Sequence, residues 1–394
     1  MAYDVTSWFL VQLEKYNSEP KRVFKIGTSD YSSHVFKYPK FKRTANDIKS
    51  INIDIQMSNE DGTFNGFYEQ VYTIPNTCVL QVGFTHPTSG DELVTLYTGF
   101  LKNVRYQSEG AKAILKLKDR LYDFTDRKVG DSQAHVDIGS TIPSDIAWAL
   151  CTSYGRMSSV ASTSNPDINY ASFLTWAAQF SGDSVLMTAN YQGMKVTEAL
   201  KRMAQMTDSA IWVEGDGKLN FAKFVEPGSL DITFTDENYD KLTIDVESLR
   251  LVNKHFTYFD YAVGSNYWQK SIFAINSTSV NTFDLREGYE RDKSIWYVDS
   301  VGALGLSQRR TNLLNQPPKK FTLEGGLYGM QRQISETVRL VDSFFGITSA
   351  SGWRLMEAEF NLDSGGTTYQ MDEATVMNAF YLDVSLLDGD DLLL

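Results

Sequence analysis

Ile51, Ile53, Ile55 and Met57 alternate with Asn52, Asp54 and Gln56, a period of two that lines up the apolar side chains on one face of an extended strand. Ser58-Asn59-Glu60-Asp61-Gly62 follows and predicts a turn, because Asn, Asp and Gly accept the backbone angles of tight turns. Leu80, Val82 and Phe84 repeat the alternation, Pro87-Thr88-Ser89-Gly90 supplies a second turn, and Leu93 to Tyr97 a further strand. Ala111, Ala113, Leu115 and Leu117 then alternate with Lys112, Lys116 and Lys118. Half-buried strands at spacings of roughly ten residues predict an antiparallel barrel or sandwich in this first part of the chain.

Past Gly130 the apolar period lengthens. Ile142, Ile146, Ala149 and Leu150 have helical spacing, with Pro143 where a first turn tolerates it and Gly155 as the stop. The Ser- and Thr-rich stretch from Ser158 to Asn165 reads as a loop. Phe173, Trp176, Ala177 and Phe180 mark a second helix, and Val196, Ala199, Leu200 and Met203 a third, with Thr197 expected near its N-cap. Ile211 to Val213, Glu214-Gly215-Asp216-Gly217 and Lys218 to Phe224 read as a hairpin. Together these predict a small α/β insert.

Strand patterns return from about Thr243. Val246 to Tyr258 and Trp268 to Ile275 are aromatic and β-branched, and a helix is expected from Leu304 to Asn315, stopped by Pro317-Pro318. Strands are expected at Lys320–Glu324 and Thr337–Val341. Met356, Ala358, Phe360 and Leu362 alternate with acids, and Ser364-Gly365-Gly366 closes a hairpin onto Thr367–Met371. The stretch Leu386 to Leu394 is acidic and apolar at once. No exact repeat occurs, although both ends of the chain are β-rich and of similar size.

A chain of 394 residues exceeds what one core usually holds. Its 37 Lys and Arg stand against 49 Asp and Glu, a formal charge of −12, which argues against general nucleic-acid binding. Hydrophobic residues make up 42% and aromatics 13%, enough for large cores and far from a disordered composition. Cys78 and Cys151 exclude a disulfide scaffold and a multi-thiolate metal site; two buried free thiols are expected over one bridge. Neither a signal peptide nor an apolar run of membrane-spanning length is read from the sequence.

The search for reactive chemistry yields no catalytic, cofactor-binding or metal residue. His34, His86, His135 and His255 lie far apart and outside metal-binding spacings. Gly27-Thr28-Ser29 and Gly305-Leu306-Ser307 lack the closing glycine of a nucleophile elbow. Gly215-Asp216-Gly217-Lys218 sits in a hairpin and lacks the following Ser or Thr of a phosphate loop. Asp236, Asn238, Asp240 and Glu247 match positions of a calcium loop, but Lys241 stands where glycine makes the sharp turn. Close carboxylate pairs of the glycosidase kind are not singled out by any pattern.

Several stretches together resemble the baseplate or tail-tip hub proteins of tailed bacteriophages. They are Phe24-Lys25-Ile26 with Asp30-Tyr31-Ser32 leading into Ile51–Met57 and Ser58-Asn59-Glu60-Asp61-Gly62-Thr63-Phe64; Tyr97-Thr98-Gly99-Phe100-Leu101 with Ala113 to Asp119; and Thr197 to Ala204 followed by Ile211 to Phe221. Val252-Asn253-Lys254 and the helix before Pro317-Pro318 fit a second barrel. The resemblance implies an α+β, predominantly β fold: a tube-like β-barrel domain over 1–128, an α/β insert over 129–242, and a second tube-like barrel with one helix and the tail over 243–394. It implies a non-enzymatic homotrimer in the virion, made in the host cytoplasm, whose six barrels adapt a hexameric tail tube to a threefold spike or fibre during genome ejection. The implied partners are the tail tube or distal tail protein, the tape-measure protein and the central spike, with DNA only passing through the lumen. No segment is expected to be left for a fused lysozyme or spike. The aromatic strands between Phe256 and Tyr297 are the expected subunit interfaces, and the acidic excess could repel passing DNA or simply keep the surface soluble. A carbohydrate-binding adhesin module and a cell-wall hydrolase are the alternatives.

Overall fold

The computed structural model describes residues 5–15, 19–45, 48, 50–67, 77–130, 136–180, 186–224, 232–347 and 352–374. His135 and the stretch Leu386 to Leu394 fall outside the described residues.

Helix α1 (Ser7–Glu14) is capped by the Thr6 hydroxyl, which accepts from the Phe9 amide, and it buries Phe9 against Phe84. The strands that follow are β1 (Lys21–Ile26), β2 (Ser29–Asp30), β3 (Val35–Lys37), β4 (Lys40–Thr44), β5 (Asn52–Ser58), β6 (Thr77–His86), β7 (Gly90–Gln107) and β8 (Lys112–Lys118). All but β4 form one antiparallel seven-stranded sheet in the order β2-β1-β6-β7-β8-β5-β3. The alternations land as expected: Ile53, Ile55, Met57, Ala113, Leu115 and Leu117 are buried and their neighbours point outward. The strand read at Leu93–Tyr97 is only the start of β7, which runs for 18 residues. Register shifts at Leu80/Gln81 and Leu101/Asn103 bend the long strand, as bulges do, and curl the sheet. In the turn after β5, the Asn59 side chain accepts from the Phe64 amide and donates to the Gly110 carbonyl, both at 2.7 Å, which seats Phe64 in the core.

The middle segment holds α2 (Tyr122–Thr125), β9 (Lys128–Val129), β10 (Val136–Thr141), α3 (Pro143–Ala149), α4 (Tyr170–Ala178), β11 (Met187–Tyr191), β12 (Met194–Lys195), α5 (Val196–Met206), β13 (Ser209–Val213) and β14 (Leu219–Lys223). Helix α3 runs into a π-helical turn at Leu150–Tyr154. Gly155 caps it with a right-handed backbone and the chain leaves the helix at Arg156, φ 60°; position 155 must be glycine because a Cβ there would lie 2.2 Å from the Phe124 ring and 2.5 Å from the Cys151 carbonyl. Thr197 is not the cap of α5; Lys195 occupies that position without a side-chain bond, and Glu198 faces the positive end of the helix. The expected hairpin is β13–β14, with Ile211 opposite Phe221.

The remaining elements are β15 (Thr233–Phe234), β16 (Lys241–Val246), β17 (Lys254–Ala262), β18 (Tyr267–Ile275), α6 (Ser277–Phe283), β19 (Glu287–Glu290), β20 (Ile295–Tyr297), α7 (Ser300–Leu314), β21 (Lys319–Gly325), β22 (Thr337–Leu340), β23 (Gly352–Asn361) and β24 (Gly366–Ala374). Val246 to Tyr258 is not one strand. A turn at Ser248–Arg250 divides it, because β16 joins β21 while β17 belongs to a separate sheet, β18-β17-β19. Helix α7 starts earlier than Leu304, since the Asp299 carboxylate accepts from the Gly302 amide at 2.9 Å. The second large sheet runs β15-β22-β23-β24-β21-β16, and β4 from the N-terminal part pairs with β23.

The architecture is α+β and predominantly β, with two curled half-barrel sheets. Residues of both half-barrels share one hydrophobic cluster that includes Phe24, Leu80, Leu115, Phe321, Phe360 and Met371. A second cluster joins α3, α4 and α5 to Phe259, Ile295, Tyr297, Ala303 and Leu306.

Arg43 sits where these parts meet. It lies on β4, within the second half-barrel, and is 3% exposed. Its guanidinium donates to Glu214 in the β13–β14 turn and to the Leu96 carbonyl on β7, and lies over the rings of Phe41 and Phe360. Glu214 also accepts from Trp212 Nε1 and the Gly215 amide, each at 2.9 Å, so the buried carboxylate is well satisfied. Removing one partner of a buried pair leaves an uncompensated charge, which costs about 3–5 kcal/mol. Arg43→Met is expected to lower stability by that order, read as a fall in the urea midpoint. Adding Glu214→Leu is expected to recover most of the loss, whereas a double mutant as unstable as the two losses added would show that the pair is not coupled.

Candidate assembly surface

The three-stranded sheet β18-β17-β19 presents two unlike faces because its side chains alternate. His255, Thr257 and Phe259 of β17 point inward and are buried. Thr257 Oγ1 and Ser307 Oγ on α7 lie 2.8 Å apart, and Thr311 Oγ1 donates to the Ala274 carbonyl at 3.3 Å. Helix α7 is anchored on its far side by Asp208, which receives Arg309 Nε at 2.6 Å and lies 3.4 Å from Arg310 Nη1. Asn253, fully buried, donates to the Asp284 carbonyl at 2.7 Å and accepts from the Arg286 amide at 2.8 Å, which sets β19 beside β17.

The outward residues form an aromatic row. Phe256 lies opposite Phe273 across the antiparallel pair and opposite Tyr289 across the parallel pair, with both ring separations 5.3 Å. The Lys254 ammonium lies 4.7 Å and 5.0 Å from the Phe256 and Phe273 centroids and 3.2 Å from Glu287. Arg291 stands 4.2 Å from the Tyr258 ring and 5.0 Å from that of Tyr289. Tyr261 and Trp268, paired across the strands, pack on each other at 4.6 Å, and Tyr261 packs on buried Trp296 at 5.2 Å. Phe273 and Tyr289 are about half exposed, at 49% and 50%. Exposed aromatic patches of this kind mark contact surfaces rather than cores. The outer edge of β18 has no partner strand among the described residues, and such an edge invites pairing. Two further apolar projections are Leu249, fully exposed, and Phe344, 86% exposed beside Phe345.

The other residues weighed for chemistry have structural surroundings. His34 Nε2 lies 3.1 Å from Asp61, and His86 Nδ1 accepts from the Thr88 and Ser89 amides. Asn238 accepts from the Thr235 amide and hydroxyl, and Glu247 pairs with Arg250. Gly215 to Lys218 lie in the turn whose Glu214 binds Arg43. Cys78 and Cys151 are buried thiols that form no disulfide, and burial pushes Cys78 up to about 12 and raises Cys151 as well. No group of three metal-ligating side chains occurs among the described residues, and none of their helices is long and apolar enough to cross a membrane. The aromatic row falls within the stretch Phe256–Tyr297 picked out by its composition. The Arg43–Glu214 bond was missed, since nothing in Lys40-Phe41-Lys42-Arg43-Thr44 marks one cation as buried.

No protein-family model and no curated protein sequence matches the chain. Solved structures do. The 43 kDa tail protein of prophage MuSo2 from Shewanella oneidensis superposes with a TM-score of 0.53 at 12% identity, over 90% of this chain and 98% of that one. A tail protein from Neisseria meningitidis MC58 gives 0.55 at 14% identity, over 91% and 97%. The prophage tail protein gp18 from Listeria monocytogenes EGD-e gives 0.50 at 10%, over 94% and 99%. The chain therefore has the fold of phage tail proteins across nearly its whole length.

Burial, followed by the nearby Arg310 cation, lowers the His255 imidazole to about 4, with Asp208 acting weakly the other way. The unfolded chain then takes up this proton near pH 6.5 and the folded one only near 4, so stability falls as pH drops between those values. Allowing for solvent screening, the loss is on the order of 2 kcal/mol. His255→Asn is expected to flatten that part of the stability profile in urea titrations from pH 7 to 4; an unchanged slope would place the titration elsewhere.

Proposed function

We propose that the chain is a structural subunit at the tip of a phage tail, a hub that works by symmetric association rather than catalysis. The observation that carries this is the pairing of two curled half-barrel sheets in one chain, in a fold shared with solved phage tail proteins. Three such chains would present six half-barrels, matching a hexameric tail tube on one side and a threefold spike or fibre on the other. The domains would be the N-terminal tube-like unit (1–128), the insert (129–242) and the second tube-like unit (243–394). The tail tube or distal tail protein, the tape-measure end and the spike are the partners, and DNA passes through the lumen. An excess of 12 negative charges suits a wall that repels passing phosphates instead of holding them. No residue is assigned to catalysis, a cofactor or a metal. The aromatic row of β17, β18 and β19 is the surface best suited to subunit contact, since its inward face is already committed to α7.

Light scattering on the purified chain, followed by electron microscopy with tail tubes, tests this reading. Closed rings with the mass of three chains, or capped tube ends, are expected. Phe273→Asp with Tyr289→Asp is expected to leave the folded monomer intact, because both side chains are about half exposed, and to abolish the rings. A wild-type chain that stays monomeric and hydrolyses cell-wall material would overturn the assignment.

A further inference from the structure

A cleft of about 610 Å³ lies between the middle of β7, the end of β8 with α2, and the segment Gly155 to Met157 that follows the π-helical turn of the insert. In a chain carrying a formal charge of −12, its lining is inverted: five cations face three carboxylates. Arg120 is committed to Asp167 at 3.0 Å. Lys102 and Lys118 rest their ammoniums over the Tyr122 ring at 4.8 Å and 3.3 Å. Neither they nor Arg127 and Arg156 make an ion pair among the described residues. Arg156 holds a left-handed backbone, φ 60°, a conformation that costs a non-glycine residue energy and clusters at binding sites. The cleft floor is apolar, with Phe100, Leu101 and Leu121 among its residues.

A site that joins unpaired cations to apolar walls selects an acidic, aliphatic segment. With Arg120 paired to Asp167, four cations stand against Asp119 and Asp123, a small positive excess that suits a segment with a few carboxylates better than a strand charged at every phosphate. Residues 375–394 have the matching chemistry: Asp383, Asp388, Asp390 and Asp391 stand among leucines, valines and aromatics, with no Lys or Arg. This segment follows β24 directly and lies outside the described residues. We infer that the cleft is a receptor for residues 375–394 of a neighbouring copy of the chain, so that the C-terminal segment straps one subunit to the next. The inference rests on the assembly reading above and names a contact within it.

Zero-length carbodiimide coupling of carboxylates to lysines, on an equal mixture of ¹⁴N- and ¹⁵N-labelled full-length chain, tests it. Couplings of Lys102 or Lys118 to Asp388, Asp390 or Asp391 are expected in mixed-isotope pairs. They are expected to fall at least tenfold in Arg127→Glu with Arg156→Glu and in Asp388→Asn with Asp390→Asn and Asp391→Asn, with unchanged melting temperatures, and to weaken with salt. Couplings confined to same-isotope pairs would give the cleft to the chain's own segment and overturn the proposal. So would an oligothymidylate that abolishes the couplings, or cleft variants that leave them unchanged. Rings without such couplings would sink this inference alone; monomers without rings would sink the assembly reading with it.

Discussion

The buried Arg43–Glu214 bond is the constraint on which the arrangement depends. Arg43 reaches three parts of the molecule from one strand: it pairs in the second half-barrel, donates to a carbonyl of the first, and meets a carboxylate of the insert. A guanidinium suits this position because its planar donors can serve several acceptors in fixed directions while its face packs on aromatic rings. Buried ion pairs contribute little net stability, yet they penalise alternative arrangements heavily, since any shift strands a charge in a dry interior. In this chain the pair holds β4, which pairs with β23, against β7 and the β13–β14 turn.

Around that point the chain divides its apolar surface between two cores of different character. The half-barrels bury one face of each curled sheet in a common cluster. The insert helices bury theirs against β20 and α7, with Phe259 reaching in from β17. The small sheet β18-β17-β19 is left with one face committed and one face open, and the open face carries ordered aromatic rows with cations laid over them. Such a surface keeps its rings pre-arranged, which lowers the entropic cost of docking a partner.

Charge is distributed to the same end. The chain carries a formal charge of −12, while the cations of Lys102, Lys118, Arg127 and Arg156 gather in one cleft. Local fields of opposite sign on one chain favour ordered self-recognition over indiscriminate contact, because like faces repel and unlike faces attract.

The amino-acid sequence by itself determined the strands whose side chains alternate cleanly. Ile51 to Met57 and Ala111 to Lys118 are paired side by side, as β5 and β8, and the β13–β14 hairpin closes where Gly215 and Gly217 allow it. Patterns of period two and three point six are local properties, so they survive without knowledge of the fold. The predominantly β class and the aromatic stretch from Phe256 to Tyr297 were legible for the same reason. Tertiary structure alone decided that Val246 to Tyr258 breaks between two sheets, that α7 begins at its Asp299 cap, that Gly155 is required by the Phe124 ring, and that β4 leaves its neighbours to join β23. It also chose Arg43, out of a run of cations, as the one to be buried. Each of these depends on which distant segment arrives alongside, and contacts between residues far apart in the chain leave no periodic trace in either partner.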